Sequence, residues 1–433
     1  MADIFERLIK HYGPIGEHRD RAHGYYTFPK LEGAIGNRMK FRGKDVIVWS
    51  LNNYLGLANH PDIRRIDGEA GREFGLAYPM GARMMSGNSN YHEQLERELA
   101  EFEMKEDAIL LNYGYQGIMS AIDTLCSRHD VVVYDAESHA CIIDGLRLHT
   151  GHRYVFRHND VEDCEKQLQR ATALIEKQGQ GGILVITEGV FGMAGDQGRL
   201  KEICALKDKY EFRLLVDDAH GFGTLGKTGA GAGEEQGCQD EIDLYFSTFA
   251  KSMASIGAFI AGPRTIIDFI RYNIRSQIFA KSLPMPYVVG NLKRLQMLRS
   301  MPELKDKLWE NARNLQEGLK EHGFDIGKTD SVVTPVYMKG GVEEATAMVT
   351  DLRENYNIFC SIVVYPVIPK GHIIYRLIPT ASHTDEDIQQ TLQAFDETKK
   401  KLEAGEYNVE AIPDMAEVTG KRFDYMLNKP KNK

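Results

Sequence analysis

Leu214-Leu215-Val216-Asp217-Asp218-Ala219-His220-Gly221 decides the fold, because an apolar run suited to a strand buried on both faces ends abruptly in two carboxylates and an imidazole. Polar groups gathered at a strand's carboxyl end face the ligand crevice of an open α/β sheet. The flanking sequence follows the same pattern. Short β-branched runs at 108–111, 131–134, 183–187 and 258–261 alternate with polar, helix-period stretches, which predicts a mostly parallel sheet covered by helices on both faces. Residues 91–103 place Leu95, Leu99 and Phe102 at i, i+4 and i+7 with charges elsewhere, an amphipathic helix suited to cover that sheet. Beyond Pro284 and Pro286, a helical stretch at 304–322, a strand-like 332–338 and a helix near 342–356 predict a smaller α+β companion domain. The expected division is an N-terminal segment 1–55, a large domain 56–290, a small C-terminal domain 291–403 and a loosely attached polar extension 404–433.

The bulk properties exclude several classes. With 42% hydrophobic and 27% charged residues, the 433-residue chain has enough apolar surface for a sizeable core. A net charge of −9 supplies no global basic field, so nucleic acid is not an expected partner. The six cysteines, Cys126, Cys141, Cys164, Cys204, Cys238 and Cys360, are scattered singly, without a Cys-x-x-Cys pair or a histidine at zinc spacing. A reducing compartment and no metal site are therefore expected. The opening Met-Ala-Asp-Ile-Phe-Glu-Arg lacks the apolar run of a secretion signal, and no stretch approaches the ~20 apolar residues that span a bilayer. The expected location is cytoplasmic, which still allows peripheral membrane contact.

The chemistry is carried by groups at neighbouring strand ends. Asp218 alone reads best as a turn cap, but Asp217 with His220 suggests more. A carboxylate there can keep a pyridinium nitrogen protonated, and the imidazole can bond a phenolate oxygen on the same ring. Gly221-Phe-Gly223-Thr-Leu-Gly226 matches the dinucleotide fingerprint, yet Asp217 to His220 intervene between strand and first glycine. The following Lys227-Thr-Gly-Ala-Gly-Ala-Gly233 cannot supply the phosphate-binding helix, so dinucleotide binding is rejected. In Ser247-Thr248-Phe249-Ala250-Lys251-Ser252 the lysine is the sole charge between 244 and 259. Most lysines are solvated surface charges. Desolvation here would lower the ammonium pKa toward the free amine that Schiff-base chemistry needs, with Ser247 and Thr248 available as phosphate donors. Asn112-Tyr113-Gly114-Tyr115-Gln116-Gly117 leads from a strand into a helix whose first N–H groups suit an anion. His139, in Asp135-Ala-Glu-Ser-His139, sits beyond another strand end. A single histidine is more often structural; three strand ends converging on one crevice change that balance.

Further segments join these: Asn52-Asn-Tyr-Leu-Gly-Leu-Ala-Asn-His-Pro61, Gly81-Ala-Arg-Met-Met-Ser-Gly87 with His92-Glu-Gln-Leu-Glu96, Glu188-Gly-Val-Phe-Gly-Met193, and Arg376-Leu-Ile-Pro-Thr-Ala-Ser-His383. In this order the chain resembles the α-oxoamine synthase family, pyridoxal-phosphate (PLP) dependent acyl-CoA:amino-acid C-acyltransferases of the fold-type-I, aspartate-aminotransferase-like superfamily. The resemblance implies that Lys251 holds PLP covalently, Asp217 partners its ring nitrogen, His220 its ring oxygen, and His139 stacks on the ring. It implies phosphate contacts from Gly114, Tyr115 and Thr248, a cofactor-side and pocket role for Glu188, and a substrate set of Arg376, Asn53 and Arg83, with Arg376 pairing the amino acid's carboxylate. It also implies a homodimer with a shared active site, reached across by residues 279–284.

Two departures stand out. Phe191-Gly192-Met193 lacks the serine common in the family's Phe-Ser-Met, and Phe279-Ala-Lys-Ser-Leu-Pro284 replaces Phe-Ser-Thr-Ser-Leu-Pro, putting the cross-subunit phosphate contact in question unless Lys281 substitutes a point charge. Tyr78-Pro-Met-Gly-Ala-Arg-Met-Met85 and the run from Asp217 to Thr224 look most like bacterial serine palmitoyltransferases. The expected reaction is thus condensation of L-serine with palmitoyl-CoA to 3-ketodihydrosphingosine. Glycine C-acetylation and 8-amino-7-oxononanoate synthesis are the alternatives. An inactive scaffold and ordinary aminotransfer are rival readings, and retention of Lys251, Asp217, His220, His139 and Arg376 together argues against the scaffold.

Overall fold

The computed structural model describes residues 3–10, 13–16, 19–338, 340–363, 373–408 and 415. Its centre is a seven-stranded sheet of β1 (Asp107–Leu111), β2 (Val131–Asp135), β3 (His152–Phe156), β4 (Ile183–Glu188), β5 (Arg213–Asp217), β6 (Leu244–Thr248) and β7 (Ala258–Gly262), in the order β1-β7-β6-β5-β4-β2-β3. β7 runs antiparallel to both neighbours, and the strands from β6 to β3 pair in parallel. Every residue of β4, β6 and β7 is buried, as helices on both faces require.

The expected strands are present, each reaching one residue further than its apolar run. β3 reads His-Arg-Tyr-Val-Phe with mostly exposed or half-buried positions, so this edge strand carried no apolar signal. β6, which ends at Thr248 within the quoted Lys251 segment, was not among the expected strands. The helix expected at 91–103 spans Asn90–Phe102, with Ser89 Oγ accepting the His92 N–H at 3.3 Å as its N-cap.

After β5 the chain turns repeatedly, and the next helix, Ala232–Gln236, has five residues. Asp218 is fully buried there, its Oδ2 accepting from the Ala232 N–H at 2.7 Å and the Tyr245 hydroxyl at 3.0 Å. A Cβ placed at Gly189, Gly221 or Gly231 would fall within 1.9 to 2.1 Å of its carboxylate oxygens. Gly221, the first glycine of the apparent dinucleotide motif, therefore makes room for a loop-closing carboxylate together with Gly189 and Gly231.

The companion domain contains an antiparallel sheet of Thr334–Met338, Ile373–Leu377 and Ser361–Val363, with helices Pro302–Glu321, Val342–Glu354 and Asp385–Glu403. The N-terminal strands Leu31–Glu32, Arg38–Phe41 and Lys44–Val48 form a further sheet with Ile358–Phe359, which pairs in parallel with the third. Ile47 and Trp49 share an apolar cluster with Leu315, Leu352 and Tyr375, so the N-terminal segment packs with the small domain. Of the extension beginning at 404, residues 404–408 and 415 are described, and the Tyr407 hydroxyl there bonds to Asp351; the rest lies outside the described residues. Among the described residues no helix is long and apolar enough to cross a membrane, and no His/Cys/Asp/Glu cluster could hold a metal.

Candidate active site

Parallel register brings the site together. Glu188 pairs with Asp217 across β4 and β5, and Asp217 with Phe246 across β5 and β6, so the carboxyl ends of three strands are level. Lys251 follows β6 in a tight turn closed by Ala254 N–H to Lys251 O at 2.8 Å and pinned by Ser252 Oγ, which donates to Phe222 O at 2.6 Å. Its ammonium makes no hydrogen bond or ion pair among the described residues. Burial pushes its pKa down, against the attraction of Asp217 and Glu188. Asp217 is pushed up by burial, against Lys251 and His139. Its Oδ1 accepts the Ala219 N–H at 3.1 Å, while Oδ2 meets only the Cys141 thiol at 3.9 Å, leaving that oxygen without a strong donor among the described residues.

His220 is held neutral by burial, with Lys251 and Arg376 adding to the effect. Its Nδ1 shares a 2.7 Å hydrogen bond with the buried Tyr54 hydroxyl. His139 caps the helix Ala140–Leu148: its Nδ1 accepts the Cys141 N–H at 3.3 Å, which in the neutral ring puts the proton on Nε2. The residue is exposed, and its ring meets Tyr115 edge-on at 6.1 Å. The His139 N–H donates to Glu188 Oε1 at 2.5 Å. Burial and the neighbouring Asp217 raise the Glu188 pKa well above the usual range.

The anion cradle is the start of the helix Gly114–Leu125, whose first N–H groups have no intrahelical acceptor. A Cβ at Gly114 would lie 3.0 Å from Thr248 Cβ and 3.1 Å from its hydroxyl, so helix start and β6 end close on one space. The Thr248 hydroxyl donates to Gly257 O at 2.9 Å and accepts the Ala250 N–H at 3.3 Å; it must turn to reach a phosphate. The Tyr115 hydroxyl bonds to Asp144, which leaves its main-chain N–H for the anion. Lys281 is exposed, its carbonyl accepting from Asn112 Nδ2 at 2.5 Å beside this helix start.

Arg376 reaches the crevice from Ile373–Leu377. It is nearly buried, which pushes its pKa down, and it lacks a carboxylate partner among the described residues. Its Nε donates to Gly192 O at 2.6 Å and an Nη to Asn52 Oδ1 at 3.3 Å. A desolvated guanidinium bonded to neutral acceptors suits an incoming anion. Asn53 does not reach it: its Oδ1 accepts the Ala58 N–H at 3.1 Å. Arg83 also stays out of this cluster, because its guanidinium closes on Glu96 at 2.7 and 2.9 Å and on Asn88 at 2.9 Å. Asn52 and Tyr54 were missed at sequence level. They lie in the quoted Asn52-Asn-Tyr segment, where only side-chain direction separates Asn52 from Asn53.

A covalent amine anchor, a buried acceptor for a ring nitrogen, a neutral imidazole and an anion cradle are what pyridoxal phosphate requires, and the residues fit it. The chain matches the family described as aminotransferase class I and II over residues 44–395. It is 61% identical to a cysteate-C-fatty acyltransferase of Capnocytophaga ochracea, over 96% of this chain and all of that one. It is 36% identical to an 8-amino-7-oxononanoate synthase of Thermoanaerobacter pseudethanolicus, over 89% of this chain and 96% of that one. A variant of the serine palmitoyltransferase from S. paucimobilis, solved with PLP bound, superposes with a TM-score of 0.85 at 31% identity, covering 93% of this chain and all of that one. The chain belongs to the aminotransferase class I and II family and, within it, to the PLP-dependent acyltransferases of the α-oxoamine synthase family.

Proposed function

We propose that the chain condenses L-cysteate with a long-chain acyl-CoA, with L-serine as a weaker acceptor. The observation that carries this is the full-length 61% identity to a cysteate-C-fatty acyltransferase, against 31% to the serine palmitoyltransferase. It revises the serine expected from the Tyr78 and Asp217 runs.

PLP supplies an electron sink that acidifies Cα of the bound amino acid. Lys251 would hold the cofactor, and its amine would take the Cα proton; its lowered pKa favours the unprotonated amine. Asp217 Oδ2 would keep the ring nitrogen protonated, and His220, steadied by Tyr54, would bond the ring oxygen. His139 would cover the ring, and the N–H groups from Gly114 and Tyr115 with Thr248 would take the phosphate. Arg376 and Asn52 hold the carboxylate, Glu188 fixes the turn bearing His139, and Asn53 shapes that wall through Ala58. The new bond joins Cα to the acyl carbon as the thioester C–S bond breaks. CoA leaves as the thiol, the carboxylate leaves as carbon dioxide, and Cα regains a proton.

The test offers L-cysteate, L-serine, glycine or L-alanine with acetyl-, pimeloyl- or palmitoyl-CoA and follows thiol release. Cysteate with palmitoyl-CoA is expected to exceed serine by about tenfold or more in kcat/KM, a difference of about 1.4 kcal/mol. Each sequestered methylene adds ~0.8 kcal/mol in favour of the long chain. Serine outpacing cysteate would overturn the acceptor assignment, and acetyl-CoA outpacing palmitoyl-CoA the donor assignment.

A further inference from the structure

Gly192, whose carbonyl holds Arg376, lies in a closed turn: the Phe191 N–H donates to Asp196 O at 2.9 Å and the Gly195 N–H to Phe191 O at 2.8 Å. This turn is tied to the large domain by the side chain of Asn159 and by the ring of His158. Its Nδ1 lies 2.9 Å from Asp135 Oδ1 and its Nε2 2.8 Å from Asp196 Oδ2, while its ring packs edge-on to Phe191 at 4.4 Å. Both ring nitrogens face carboxylates, so both must donate, and the ring is an imidazolium. Burial alone would lower its pKa, yet the bonds to Asp135 and Asp196 carry it up to about 10. Glu137 adds a third carboxylate 3.8 Å from Nε2.

Asp135 serves both sides of this bridge. Fully buried at the end of β2, its Oδ1 also accepts the Glu137 N–H at 2.8 Å, in the turn that leads to His139, and its Oδ2 the Asn159 N–H at 2.9 Å. Asn159 Nδ2 donates in turn to Asp196 Oδ2 at 2.7 Å. From the other side, Thr329 Oγ1 donates to Gly195 O at 3.1 Å, and Asp330 Oδ1 accepts the Gln197 N–H at 2.7 Å. The Gly192 turn is thus gripped between a strand end of the large domain and the segment leading into the small domain's sheet.

We propose that His158 is a positioning residue for the amino-acid substrate: through Asp196 it sets the Gly192 carbonyl, and through that carbonyl the orientation of the Arg376 guanidinium. This rests on Arg376 binding the substrate carboxylate. Because the imidazolium acts on Arg376 only through Asp196 and the Gly192 turn, removing it affects amino-acid binding more than the chemical step.

The test exploits the two ends of the bridge. In His158→Gln the amide nitrogen overlies Nε2 and keeps the Asp196 bond; in His158→Asn it overlies Nδ1 and keeps only the Asp135 bond. His158→Asn should raise the amino-acid KM about tenfold, the loss of one charge-assisted hydrogen bond, with kcat within about threefold and PLP absorbance unchanged. His158→Gln should stay within about threefold of wild type in KM. Equal KM values for the two variants, or loss of PLP binding in both, overturns the assignment, since the ring then serves the fold of the site as a whole. Arg376→Ala separates the two readings. If it leaves amino-acid binding unchanged, the carboxylate role of Arg376 fails; if it weakens binding while His158→Asn does not, the positioning role of His158 alone fails.

Discussion

At Lys251 burial and two carboxylates pull one ammonium in opposite directions, and burial prevails. Lys251→Ala should therefore fold, lack the visible absorbance of bound PLP and release no thiol from acyl-CoA; turnover near wild type would remove Lys251 from its role. Gly192 shows a second constraint. A Cβ there would lie 2.1 Å from His220 Nε2, and the ring cannot easily yield because Tyr54 holds its other nitrogen at 2.7 Å. Gly192→Ala is expected to cut kcat/KM by about tenfold, with partial recovery when Tyr54→Phe frees the ring; an unaffected single variant would contradict this geometry. Lys251, Asp217, His220 and His139 were legible because each lies at or just beyond a strand end, where sequence position fixes direction into the crevice. Arg83 and Asn53 lie apart from this cluster for the converse reason: in turns, a neighbouring Glu96 or a local N–H decides where the side chain goes.

Among elements, legibility followed burial. β4, β5 and β7 announce themselves as apolar runs, whereas β3 does not, and nothing in Ala258–Gly262 encodes that this strand runs against its neighbours. Buried polar groups between elements were the least legible. Glu103 closes the helix Asn90–Phe102 fully buried, its Oε2 accepting from Gln239 Nε2 at 2.8 Å. Burial and the nearby Asp218 push its pKa well above the usual range. A carboxyl whose folded pKa is raised contributes stability below its unfolded pKa and loses it as pH climbs, because the unfolded chain releases the proton first. Relative to Glu103→Gln, wild-type stability should fall as pH rises above the unfolded glutamate pKa of about 4.3, by up to about 1.4 kcal/mol per pH unit. Urea unfolding between pH 5 and 8 measures this, and parallel curves for the two proteins would show that Glu103 keeps an ordinary pKa.

For the molecule as a whole, the expected boundary at residue 55 hid a long-range pairing. Lys44–Val48 pairs with Ile358–Phe359, more than three hundred residues away, and no local pattern announces such a partner. The same is true of the face the chain offers to a second copy. Leu76, Met80, Met85 and Phe279 are exposed at 74%, 75%, 82% and 75%, and the two stretches that carry them are fastened together. The Ser282 N–H donates to Gly81 O at 3.0 Å, the Met285 N–H to Tyr78 O at 2.9 Å, and His92 Nε2 meets Leu283 O at 2.9 Å. Apolar side chains held at that exposure on a rigid support mark an association surface. Through Asn112 and Lys281 this surface adjoins the start of the helix Gly114–Leu125, so a partner docked on it would lie beside the proposed phosphate site. The expected assembly is a homodimer built on this face. Met85→Glu combined with Phe279→Glu should give a monomer by light scattering, with wild-type circular dichroism but weakened PLP retention and thiol release. A double variant that stays dimeric places the interface elsewhere, and a fully active monomer would show that one subunit completes the site alone.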